Sequence, residues 1–71
     1  MDKAVDAGKL SALLEHWMGH NRGHVDEFAK WAAKAREAGH DTVSQRILEA
    51  AGQMDKANEI LQDALSELGG T

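Results

Sequence analysis

An all-α antiparallel hairpin, pairing with a second copy into a four-helix bundle, is the fold that three features of this 71-residue chain predict. It contains no proline and is rich in Ala, Leu, Glu, Lys and Gln, residues that favour helix and leave little material for strands. Its apolar residues recur at steps of three and four on both sides of a single turn signal around Gly39. A chain this short buries only about 60% of its unfolded surface, and without cysteine it has no disulfide to compensate, so a partner is expected.

The first helix is expected over residues 9–38. Leu10, Leu13, Leu14, Trp17, Asn21, His24, Phe28, Trp31 and Ala35 draw one stripe along it, with Trp17 and Trp31 as core anchors. Gly19 and Gly23 are weak places, each costing up to about 1 kcal/mol relative to Ala. Both project away from the stripe and read as tolerated surface glycines; close approach of another helix, or a break near Asn21, are the alternatives.

Gly39 is a left-handed cap in a turn over 39–41, and His40 beside it suits the dipole at a helix C-terminus. The second helix, over 42–68, begins at Asp41 or Thr42, with Gln45 placed three residues after Thr42 as in a capping box. Ile47, Ala51, Met54, Asn58, Leu61, Leu65 and Leu68 form a coiled-coil-like seam that Gly69, Gly70 and Thr71 stop. Residues 1–71 thus read as a single helical domain.

Folding the helices about Gly39 places side by side positions whose numbers sum to roughly 79. Asn21 then faces Asn58, His20 lies near Glu59 and His24 near Asp55, gathering the polar residues of both helices into one layer. A lone hairpin does not cover both flanks of Trp17, Phe28, Trp31 and the leucines, so a two-fold homodimer is expected, with two copies of the layer inside one bundle.

His16, His20 and His24 recur every fourth residue, with His24 near the centre of the stripe, His20 on its edge and His16 just outside. Residues four apart on a helix can aim two imidazoles at one ion, and imidazole suits zinc, nickel, cobalt and copper. Three histidines span about 12 Å, too far for a single ion on a straight helix. The candidate metal set is therefore His20 and His24 completed by Glu27, Asp55 or Glu59, with His16 as an outer or alternate ligand. Each carboxylate could instead orient an imidazole from behind. Two other readings stay open: a hydrogen-bonded His/Asn layer that only specifies helix pairing or a protein partner, and an interface that responds to pH as histidines gain charge.

Enzymatic chemistry finds no assembled candidate. The histidine run lacks the Glu of the His-Glu-x-x-His zinc protease motif and the paired Glu-x-x-His elements of di-iron bundles. Ser11, Ser44 and Ser66 lack a neighbouring base and orienter. The formal charge of −4 and scattered basic residues argue against nucleic acid. Residues 1–10 lack the apolar core of a signal peptide and no run approaches a membrane span, so a cytoplasmic protein without a membrane partner is expected.

The stretch LLEHWMGHNRGHVDEFAKWAAKA, residues 13–35, resembles a group of short uncharacterised helical domains of bacteria and archaea. These share a similar His-Trp-x-x-His-Asn-x-x-His opening followed by Phe and Trp. The resemblance extends less distinctly to residues 47–68, and it implies a domain of unknown function with no established activity to carry over.

Overall fold

The computed structural model describes residues 6–69, which form two helices, α1 (Ala7–Glu37) and α2 (Asp41–Leu68), packed against each other as a hairpin. The expected helix stop at Gly70 and Thr71, and residues 1–5 of the amino-terminal segment, lie outside the described residues. The rod measures 55 × 20 × 18 Å, long in one direction because each helix spans nearly the whole domain.

Helix α1 starts two residues before the expected position because Asp6 caps it. Its carboxylate accepts a hydrogen bond from the Lys9 backbone N–H at 2.8 Å, satisfying one of the free donors of the first turn. The helix then runs unbroken through Gly19 and Gly23. A Cβ at Gly23 meets nothing within 4 Å and one at Gly19 only the Arg22 guanidinium at 3.9 Å, as befits surface glycines.

A Schellman turn ends α1. The His40 N–H donates to the Ala35 carbonyl at 2.8 Å and the Gly39 N–H to the Arg36 carbonyl at 3.0 Å, with Gly39 at φ +91°. The expected Thr42–Gln45 capping box is corrected. His40 occupies the N-cap of α2 without a side-chain cap bond, so Asp41 opens the helix and Thr42 falls inside its first turn. The Ser44 N–H closes the first turn on the His40 carbonyl at 2.9 Å.

The α2 seam lies where its periodicity places it, with Ser44 as an additional buried member. The α1 seam differs from the expected stripe. Leu14, Met18, Asn21, Val25, Phe28, Ala32 and Ala35 face α2, while Trp17 is 44% and Trp31 55% exposed, so neither anchors the core of the hairpin. The reason is separation between the helices. Ala32 is 1% exposed and its carbonyl accepts from the Ser44 hydroxyl at 2.7 Å, an approach too close for an indole.

One polar layer crosses the middle of this seam. Asn21 Nδ2 donates to Asn58 Oδ1 at 2.9 Å, and Asn58 Nδ2 donates to the Met18 carbonyl at 3.1 Å. The pairing of Asn21 with Asn58 expected from the sum of their positions is thus present, and Asn58 uses both ends of its amide across the interface.

Two outcomes follow from these contacts. Gly39→Ala forces an L residue into the left-handed region and should lower unfolding free energy by about 1–2 kcal/mol in urea titration, whereas Gly23→Ala should raise it by up to about 1 kcal/mol. Asn58→Ala leaves the Asn21 amide and the Met18 carbonyl without this partner and should cost about 1–3 kcal/mol by the same measurement; the Asn21→Leu/Asn58→Leu double variant should recover most of that loss.

Candidate functional site

Because α1 and α2 are antiparallel, residues one position before each seam residue share one flank of the hairpin, and residues one position after share the other. The first flank carries most of the large exposed apolar residues. On α1 it holds Leu13, Trp17, His20, His24, Glu27, Trp31 and Lys34; on α2 it holds Val43, Arg46, Ala50, Gln53, Ala57, Ile60, Ala64 and Glu67. Two apolar grooves open on it, one lined by Phe28, Trp31, Ile47 and Ala50, the other by Leu10, Leu14, Ala64, Glu67 and Leu68.

The opposite flank carries Glu15, Arg22, Asp26 and Arg36 from α1 with Asp55 and Glu59 from α2, and Leu48 is its one large exposed apolar residue among the described residues. The molecule therefore has two unlike sides. The large exposed apolar residues are thus concentrated on one side.

The histidines sit midway along the apolar flank. His20 Nε2 and His24 Nε2 approach to 3.0 Å, one ring donating and the other accepting, with their planes at 83° and centroids 4.5 Å apart. His16 stacks further out, 6.4 Å from the His20 ring, and His24 continues into Phe28 at 5.9 Å. His24 is half-buried at the margin of the seam rather than at its centre; His16 and His20 are exposed.

The expected meetings of His20 with Glu59 and of His24 with Asp55 do not occur within the chain. The constant sum of positions matches height along the hairpin but not side, and both carboxylates belong to the charged flank. Glu27 shares the histidines' flank yet is engaged one turn further on. Its Oε1 accepts from Trp31 Nε1 at 3.2 Å and its Oε2 lies 3.7 Å from Lys30 Nζ. Lys34 Nζ covers the same indole at 4.7 Å, so a short network holds Trp31 against α1.

Among the described residues no group of three His, Cys, Asp or Glu side chains is assembled to hold a metal ion. Among these residues the His20–His24 nitrogen pair has no third ligand assembled beside it. The Ser44 hydroxyl is committed to the Ala32 carbonyl inside the seam. No helix is long and apolar enough to cross a membrane among the described residues.

The alanine row and the outward tryptophans are what the reading of the sequence missed. Their signal was a second set of four and three steps, running one residue ahead of the buried seam through Leu13, Trp17, His20, His24, Glu27 and Trp31.

No solved structure matches this chain. An uncharacterised protein of Archaeoglobus fulgidus is 34% identical over 61 residues, covering 86% of this chain and 97% of that protein. Residues 10–68, which hold the whole seam from Leu14 to Leu68 and all of the flank just described, match the model of a family described as a domain of unknown function (DUF8180), and the chain belongs to that family.

Proposed function

We propose that this protein is a non-enzymatic, self-associating helical module whose hairpins pair flank to flank into a homodimeric four-helix bundle. The observation that carries this reading is the unequal pair of flanks. Leu13, Trp17, Trp31, Val43 and Ile60 lie exposed on one side together with a row of alanines, and a polar, charged surface occupies the other. A hairpin alone buries few residues, namely Leu14, Met18, Ala32, Ala51 and Ser44 among those described, and such a core is thin for independent stability.

A second copy suits this face better than an acidic or basic partner. The charges on it are balanced, Glu27 and Lys34 on α1 with Arg46 and Glu67 on α2, although the chain as a whole carries −4. Beside the exposed Val43 and Ile60, Ala50, Ala57 and Ala64 are short side chains that allow close approach of another helix. The Asn21–Asn58 layer serves as the device that specifies how the helices pair, as buried amides do in coiled coils.

A second reading, binding of a divalent transition metal such as zinc, nickel or cobalt, is favoured by the contact between the Nε2 atoms of His20 and His24. Self-association does not require it. In sedimentation velocity the wild-type chain should run at twice its monomer mass, and a Trp17→Glu/Trp31→Glu variant should run as a helical monomer, since both charges enter the apolar face; a wild-type monomer at all accessible concentrations overturns the reading.

A further inference from the structure

Six of the seven α1 residues on the apolar flank, all but Lys34, are arranged symmetrically about Arg22. Leu13, Trp17 and His20 precede it, and His24, Glu27 and Trp31 follow at mirrored intervals. When two copies of one helix pack antiparallel across a two-fold axis, facing positions have a constant sum, and with the axis at the height of Arg22 that sum is about 44. Leu13 then meets the partner's Trp31, Trp17 meets the partner's Glu27, and His20 meets the partner's His24. This register pairs all six residues among themselves. It also covers both tryptophans and gives the Trp17 indole N–H a carboxylate acceptor.

The same axis brings two His20–His24 pairs face to face. Each pair has nearly the spacing that chelation needs, and an ion takes the place of the hydrogen bond between the rings once the donor ring carries its proton on Nδ1. Two nitrogens held at about 2.0–2.1 Å from a tetrahedral ion lie about 3.3 Å apart, close to the 3.0 Å separation of the Nε2 atoms here. One chain supplies only two ligands, and no third His, Cys, Asp or Glu completes the set among its described residues. Two chains supply four nitrogens in one layer, at the height of the Asn21–Asn58 bridge.

We infer that the dimer holds one divalent transition-metal ion on its two-fold axis, ligated by His20 and His24 of one protomer and by the partner's His20 and the partner's His24. This rests on the self-association proposed above. Four imidazole nitrogens suit zinc, with cobalt, nickel and copper as competitors. His16, a further turn out from His20, is left outside the coordination sphere, and so are Asp55 and Glu59 on the far flank. Glu27, already accepting from Trp31, sits beside the site rather than in it.

Native mass spectrometry of the full, untagged chain, stripped with chelator and then titrated with zinc, reads subunit number and bound ion together. The expected result is one zinc per dimer, with affinity lowered about 100-fold or more in His20→Ala and in His24→Ala but unchanged in His16→Ala. Circular dichroism of each variant confirms that helix is retained. His20→Asn and His24→Asn, which keep polarity without an imidazole, give a second pair should the alanine variants fail to fold. A dimer that takes up no zinc overturns the shared site and leaves self-association standing, whereas a monomer without zinc overturns both. Zinc bound to a monomer, or retained by the His20 and His24 variants, overturns the shared site as well.

Discussion

The grip of Asn58 on α1 is the interaction on which the rest of the structure depends. Its amide is paired at both ends, to the Asn21 side chain and to the Met18 carbonyl, and a second polar contact from Ser44 to the Ala32 carbonyl repeats the arrangement nearer the turn. Apolar seams slide and rotate at modest cost because leucine, methionine and alanine contacts are interchangeable. Hydrogen bonds to fixed backbone carbonyls are not. Rotating α1 toward its tryptophans breaks these contacts and leaves the part-buried Asn21 and Asn58 amides and the buried Ser44 hydroxyl without their partners, each at about 1–3 kcal/mol.

That lock decides what the outside of the molecule looks like. With Met18 and Ala32 turned inward, the residues one position earlier, Trp17 and Trp31, must turn outward, and His20 and His24 go with them. Trp31 is then positioned rather than merely displaced. Trp31 is held by Glu27 and covered by Lys34, so its indole presents a set face to whatever meets the flank. The polar layer inside the seam and the imidazole pair outside it lie at one height, although they belong to different surfaces.

Much of this was legible from residue order. The steps of three and four gave two helices, Gly39 marked the turn between them, and a constant sum of positions brought Asn21 to Asn58. The azimuth of α1 was not legible. Two stripes, one through Leu14, Met18, Asn21, Val25, Phe28 and Ala32 and the other through Leu13, Trp17, His20, His24, Glu27 and Trp31, have the same periodicity. Large aromatic residues draw the eye to the second, yet two helices in close contact need small residues such as Ala32 and Ser44 where they meet. The same blindness to side produced the expected meetings of His20 with Glu59 and His24 with Asp55, since equal height along a hairpin places residues on either flank.

In the proposed dimer the apolar flank meets a second copy with the two α1 helices antiparallel across an axis near Arg22. The chain has no cysteine, so a single Glu37→Cys change gives one labelling site at the far end of α1. Pulsed electron–electron resonance between nitroxides on the two chains of the dimer measures the arrangement directly. Fifteen residues from the axis on each side, at 1.5 Å of rise per residue, place the two labels roughly 45 Å apart. A distance below about 25 Å, as expected for parallel α1 helices separated by one or two helix diameters, rules out this arrangement, and so does the absence of any intermolecular coupling.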